Sequence, residues 1–284
     1  MAAVNNFTRK KTIFFHFSEK HKDYIRKCRD CSYNVAEGAV RAGKTVDNVF
    51  AFAHELKITP DKIHLATGST MANAKMNIGD CNGMGLEWIF RGQSHWGKYK
   101  DNEALFIKGP ATHNKQKIVI FAGGAKEDSY KKIRGNSYGM WIATEINLHH
   151  DNTIKEAFNR QLAAKRLKVF WDLNPDNPRA AIYAEYIDRY QRQQEEGNFP
   201  GGYNYMHCTI YDNINITAER LHEIESRYDV NSIWYMRDIK GMRVVANGLI
   251  YRRFADDIST KKFGFAMKEK PKDIMEINLG IDFG

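Results

Sequence analysis

EGAVRAGKTVDNVFAF, residues 37–52, decides how the rest of the chain is read. Within it Gly38-Ala39-Val40-Arg41-Ala42-Gly43-Lys44-Thr45 fits the pattern G-x-x-x-x-G-K-[ST] without a mismatch. An apolar strand pattern, YNVAE, runs into the first glycine, and an amphipathic helical pattern follows the threonine. That order points backbone N–H groups and a helix N-terminus into one concavity that favours an anion. In such a loop Lys44 supplies a point charge to the β- and γ-phosphates, and the Thr45 hydroxyl ligates Mg²⁺, so ATP and Mg²⁺ are the expected cofactors. The plain alternative is a glycine-rich strand-to-helix turn with a solvated lysine.

Outward from this loop, short apolar runs alternate with helical patterns. Strands are predicted at SYNVAE, KIHLATG, EALFIKG, KIVIFAGG, YGMWIATEI and RLKVFWDL, and helices over 44–56, 71–78, 82–90, 151–164 and 179–196. Repeated strand–helix alternation implies an α/β fold of the P-loop NTPase type, with a mostly parallel central sheet flanked by helices. EALFIKG and KIVIFAGG, separated only by residues 110–116, predict an antiparallel excursion. EEGNFPGGYN, residues 195–204, carries three glycines and a proline and marks a subdomain boundary. The organisation expected is a P-loop core over 1–200, a small C-terminal lid over 201–272, and the start of another domain over 273–284. The lid segment contains TAERLHEIESRYD, a helix with Thr217 at its N-cap, and MRVVANGLIYRRF, a hairpin through Asn247-Gly248.

Composition narrows the class. The 284 residues are enough for one large domain, and the balance of 43 Lys+Arg against 34 Asp+Glu gives a formal charge of +9 that favours a polyanionic partner. No apolar run approaches the ~20 residues needed to span a bilayer, so no membrane partner is expected. Four cysteines do not make a disulfide framework. Cys28-x-x-Cys31 has no second pair at metal spacing and reads as two thiols beside a core strand.

A loop that holds phosphates needs a group to position water. Glu145 ends the apolar run YGMWIATEI, where a general base would sit, although an exposed charge at a strand end has the same signature. Its predecessor, Thr144, stands where many P-loop ATPases place a magnesium-associated aspartate. Either Thr144 binds Mg²⁺ through a water or Glu145 carries both roles. The next strand ends in Asp172-Leu173-Asn174-Pro175. A polar side chain there can sense the γ-phosphate, with Asn174 preferred and Asp172 second, and a simple Asp/Asn/Pro turn is the alternative.

Taken in order, EGAVRAGKT, YKKIRGNSYGMWIATEI, NRQLAAKRLKVFWDLNPDNP, RDIKGMRVVANGLIYRRF and LGIDFG resemble the large terminase subunit of tailed double-stranded DNA bacteriophages. The resemblance runs from about residue 20 to the end. It implies an ATPase domain that drives DNA into an empty capsid, followed by a metal-dependent nuclease domain. By that likeness Lys44 and Thr45 bind nucleotide and Mg²⁺, Glu145 activates water, and Asn174 lies in a coupling motif. Arg41 matches an arginine carried inside the family's phosphate loop, and Arg134 stands where some members place a finger acting on a neighbouring subunit's ATP. A solvated charge in KKIRG is the alternative for Arg134. Family members hold adenine with an aromatic residue and a glutamine. Here FSEKHKDYI offers His21, Tyr24 or Phe17, which would otherwise pack the N-terminal helix. Asp282 resembles the first nuclease metal ligand, and with the other carboxylates expected beyond Gly284 no nuclease activity is expected of this chain.

The resemblance further implies double-stranded DNA, the portal of a procapsid and a small terminase subunit as partners. It also implies a homo-oligomeric ring on the portal, in the host cytoplasm. DNA contacts would go mainly to phosphate, with Lys98, Lys100, Lys131 and Lys132 as contributors or as an ordinary solvated face. Other readings of the same motifs are a helicase or another P-loop nucleic-acid ATPase, a small-molecule kinase, and a nucleotide-binding module that has lost hydrolysis.

Overall fold

Apolar runs without polar alternation belong to strands covered on both faces, and the chain forms such strands. In the computed structural model, which describes residues 15–245, the eight strands are β1 Tyr33–Gly38, β2 Ile63–Gly68, β3 Ser94–Tyr99, β4 Asn102–Ile107, β5 Lys117–Gly123, β6 Met140–Ala143, β7 Lys168–Leu173 and β8 Tyr203–Cys208. They form one sheet in the order β3-β4-β5-β2-β6-β7-β1-β8. From β5 to β8 the neighbours are parallel, while β4 pairs antiparallel with both β5 and β3. The antiparallel excursion and the mostly parallel α/β sheet are therefore present as expected.

Alternate residues of each strand feed two cores. Ala36 and Phe170 face helix α2, Lys44–Ile58, and join Val49, Phe52 and Leu56. Val35, Trp141 and Trp171 face the opposite layer, with Ile154 and Tyr183. Phe52 meets Phe170 edge-on at 5.7 Å between ring centroids, and Trp141 meets Trp171 in the same way at 5.2 Å. Helix α1, Glu19–Cys28, lies against α2, its N-terminus capped by the Ser18 side chain.

Three segments differ from expectation. The two helices predicted over 71–78 and 82–90 are irregular, the first running from Met71–Ala74 into a π-helical turn Lys75–Asp80 and the second reduced to a 3₁₀ turn Cys81–Gly83 and Leu86–Ile89. Cys81 and Asn82 have φ of 46° and 52°, a left-handed backbone that separates the two and delays the start of the second past Asn82. β3 was not anticipated because it is a half-exposed edge strand of polar and aromatic residues, without an apolar run. β8 lies past the expected core boundary at 200, yet Tyr203–Cys208 pairs residue for residue with Tyr33–Gly38 of β1, so the core sheet takes in this segment. The helix capped by Thr217 forms at Ala218–Glu225, and a second follows at Ile233–Asp238. The Asn247-Gly248 hairpin and Asp282 lie outside the described residues. No helix among the described residues is long and apolar enough to cross a membrane.

Phe52 is fully buried between α2 and the sheet. Replacing it by alanine is expected to lower unfolding free energy by about 3–5 kcal/mol. Urea denaturation checks this, and a midpoint unchanged from wild type would mean that α2 is not packed as described.

Candidate functional site

The carboxyl ends of β1, β7 and β6 lie side by side, and the sequence places a polar group at each. β7 sits between the other two. Ala36 of β1 is level with Asp172 of β7, and Ala143 of β6 is level with Trp171, so Thr144 and Asp172 emerge at the same height on adjacent strands. A cavity of about 560 Å³ opens over these ends, lined by Arg41, Lys44, Thr45, Thr144, Glu145, Asp172 and Asn174 among others. Six residues proposed from the sequence for separate roles thus meet Arg41 in one place.

The loop between β1 and α2 needs its glycines. Gly38 has φ 152°, and a Cβ there would lie 1.9 Å from the Cys208 carbonyl oxygen. Gly43, at φ 101°, turns the chain into α2 as its N-cap residue. Arg41 also has a left-handed backbone, φ 59°, which holds its exposed side chain out of the loop. Neighbouring segments secure the loop, since the Ala39 amide donates to Cys208 O at 2.8 Å and the Asn213 side chain donates to Arg41 O at 2.7 Å.

Lys44 folds over this loop. Its ammonium donates to Gly38 O at 2.9 Å, Ala39 O at 2.5 Å and Asn174 Oδ1 at 3.1 Å. Burial lowers its pKa, opposed by the nearby Asp172. The Asp172 carboxyl is itself buried, which pushes its pKa up to about 6 against the opposing effects of the Glu145 amide, Lys44, Thr144 and Thr45. Its Oδ1 accepts from Thr144 Oγ1 and from the Glu145 amide, both at 3.1 Å.

Glu145 takes a left-handed backbone, φ 52° and ψ 53°, and aims a half-exposed side chain into the cavity. His149 supports it from behind. Burial lowers the His149 pKa to about 4, so the ring is neutral, and the hydrogen bonds select its tautomer. Trp141 Nε1 donates to Thr67 Oγ1 at 2.8 Å, the Thr67 hydroxyl donates to His149 Nε2 at 2.9 Å, and His149 Nδ1 donates to Glu145 O at 3.3 Å.

Two of the expected adenine contacts are corrected. His21 is buried, with Nδ1 2.6 Å from Asp47 Oδ2, and packs against Gly43 from below the loop. Tyr24 is buried and donates to Asn48 Oδ1 at 2.8 Å, which ties α1 to α2. Neither lines the cavity, because both are turned toward polar partners on α2. Phe17 packs edge-on against Phe50 and Phe15. Among the described residues the aromatic at the cavity wall is Phe15, from the run TIFFHF. Arg134 also lies away from the cavity. It stacks on Tyr130 and pairs with Glu156 at 3.3 Å.

Residues that the sequence did not suggest complete the site. Asn77, on the π-helical turn, donates to Thr144 Oγ1 at 3.5 Å. Glu37, just before the loop, accepts from Tyr183 and Tyr205, both at 2.8 Å, and from Arg243, which also reaches Asp188 at 2.6 Å. Arg243 thereby fastens the segment after helix Ile233–Asp238 to the strand that feeds the loop. Only the acidic residue before the first glycine hinted at this network.

A glycine-rich loop between strand and helix, with polar groups on the two next strands, defines a P-loop nucleotide-binding fold. Among solved structures, the large terminase of a thermophilic bacteriophage superposes with a TM-score of 0.68 at 22% identity, over 85% of this chain and 57% of that one. The ADP complex of the same terminase gives 0.68 at 21% identity. The ATPase domain of the Thermus phage P74-26 large terminase gives 0.51 at 14% identity, over 75% of this chain and 89% of that domain. The fold is thus that of a large terminase ATPase domain, and this chain spans a little over half the length of the first of these terminases. No family model and no curated protein matches the chain.

Removing the Tyr24 hydroxyl separates packing from ligand contact. Tyr24→Phe leaves Asn48 Oδ1 buried without its donor and is expected to cost about 1–3 kcal/mol in thermal or chemical unfolding. Affinity for a fluorescent ATP analogue should stay at the wild-type value, and a selective loss of affinity would return Tyr24 to the ligand.

Proposed function

We propose that this chain is the ATP-hydrolysing motor of viral genome packaging, translocating double-stranded DNA into a procapsid. The observation that carries the reading is the meeting of Lys44, Thr45, Glu145 and Asn174 at the ends of three adjacent strands. The thermophilic-phage large terminase, whose fold this chain shares, has been solved with ADP and with ATP-gamma-S.

In this reading the loop amides and the start of α2 hold the phosphates. Lys44 exchanges the Gly38 and Ala39 carbonyls for phosphate oxygens, and Thr45 offers its hydroxyl to Mg²⁺. Bound Mg²⁺ offsets charge on the β- and γ-phosphates. Glu145, held by the Asp172 and His149 hydrogen bonds to its backbone, orients the attacking water and accepts its proton. Because Lys44 also touches Asn174, its move toward phosphate releases the end of β7. That exchange lets the chemistry reach the segments that touch DNA, and Arg243 offers a second link, from β1 to the lid.

Double-stranded DNA, the procapsid portal and the small terminase subunit are the proposed partners, with several copies of the chain in a ring. Lys98, Lys100, Lys131 and Lys132 are all exposed, which suits backbone phosphate contacts that ignore sequence. Arg134 would serve a neighbouring subunit, after exchanging its Glu156 pair for that subunit's phosphate. Arg41, exposed beside the cavity and without an ion-pair partner among the described residues, is the arginine available within the chain.

Steady-state hydrolysis with duplex DNA present tests the assignment. Glu145→Ala should lower turnover by about 10²–10⁴-fold while retaining nucleotide affinity, and Lys44→Ala should abolish binding of a fluorescent ATP analogue. Equal turnover in wild type and Glu145→Ala would sink the hydrolytic reading. Arg134→Ala should reduce activity only in the assembled motor, and an equal loss in the isolated subunit would exclude action in trans.

A further inference from the structure

We infer that Asp172, at the end of β7, anchors the Mg²⁺ in this chain in place of an aspartate on β6. The inference rests on the ATP-hydrolysing reading and goes beyond it, because it moves the metal-binding carboxylate from one strand to the next.

The β6 position is occupied by Thr144, which carries no charge, is 1% exposed, and has its hydroxyl already engaged. It donates to Asp172 Oδ1 and accepts from the Asn77 amide. For a metal-bound water it offers one remaining lone pair and no charge. Asp172 has the opposite condition. Oδ1 is held by Thr144 and the Glu145 amide, whereas Oδ2 is buried with no hydrogen-bond partner. A buried carboxylate oxygen left bare is costly and calls for a ligand.

Position agrees with this. Asp172 lies level with Thr144 on one side and with Ala36 of β1 on the other, so the carboxylate is one strand nearer the phosphate loop than Thr144 is. Residues level on parallel strands face the same way, and Ala36 belongs to the core on the α2 side, the side from which Thr45 approaches. Asp172 and Thr45 line the same cavity as Lys44. No cluster of three or more His, Cys, Asp or Glu side chains spaced for a metal occurs among the described residues. Mg²⁺ needs none here, since it is commonly held by one carboxylate, a hydroxyl, waters and phosphate oxygens. Thr144 then becomes a positioning residue, its hydroxyl fixing Oδ1 so that Oδ2 stays directed at the metal.

The test measures ADP affinity with Mg²⁺ and with EDTA, using a fluorescent ADP analogue. In Asp172→Asn the EDTA affinity should match wild type, while the gain on adding Mg²⁺ should fall by about 10–100-fold. Combining Asp172→Thr with Thr144→Asp, which returns the carboxylate to β6, should restore a gain that Asp172→Thr alone lacks. An undiminished Mg²⁺ gain in Asp172→Asn overturns the inference, as does an equal loss with and without the metal. Failure of the wild-type chain to bind ADP in either buffer would instead overturn the ATP reading itself. Should Asp172→Asn not fold, wild-type protein labelled with ¹³C at its aspartate carboxylates and loaded with Mn²⁺ and ADP replaces it. A ¹³C coupling to manganese in electron–nuclear double resonance is expected, and its absence overturns the assignment.

Discussion

The Lys44 ammonium is almost wholly withdrawn from water and has no carboxylate within hydrogen-bonding distance. Three neutral oxygens hold it, two from the loop that it belongs to and one from Asn174. Neutral acceptors satisfy the directional demand of an ammonium but only part of its charge, which the Asp172, Asp47 and Glu37 carboxylates compensate in part from a distance. Everything around the loop follows from that constraint. The glycines let carbonyls curl toward the lysine, the start of α2 adds its own positive end, and Asp172 stands close enough to moderate the field without quenching it. An anionic ligand with several oxygens would relieve the imbalance.

The same logic explains why the polar groups gather at one end of the sheet. A parallel strand covered on both faces tolerates charge only where it leaves the core, and β1, β6 and β7 leave it together. Glu37, Asp172 and Glu145 all belong to that edge, but their environments divide the work. Glu37 is saturated by two tyrosine hydroxyls and Arg243, which makes it structural. Asp172 is half satisfied, and Glu145 has only its backbone fixed. The three carboxylates are thus ordered by how far each is already bonded, from Glu37 through Asp172 to Glu145.

Much of this was legible in the sequence, and the reasons are specific. The loop could be read because its glycines mark backbone shapes that other residues cannot adopt, and the six inner strands because burial leaves mostly apolar runs. Glu145 and Asn174 stand out because they end such runs, and both line the cavity. β3 and β8 could not be read, since an edge strand needs no apolar run and YNYMHC mixes polar with aromatic residues. His21 and Tyr24 misled for a related reason. A polar aromatic residue on a helix looks available for a ligand until its partners are known, and Asp47 and Asn48 lie on another helix. Asn77 was hidden because a single π-helical turn, not its spacing in the sequence, points it at Thr144.

The backbone of Glu145 shows how these pieces act as one. A left-handed conformation at a non-glycine residue costs on the order of 1–3 kcal/mol and persists only where neighbours over-determine it. Here the Asp172 carboxylate takes the Glu145 amide from one side and His149 donates to its carbonyl from the other. The His149 ring is in turn fixed by Thr67, whose hydroxyl is held by Trp141 in the core of the sheet. The Glu145 side chain is thus aimed into the cavity by a chain of hydrogen bonds that begins in the hydrophobic core and ends on β7. Any change that draws Asp172 toward the cavity must also pull on the Glu145 amide, so the positions of these two carboxylates cannot be set independently.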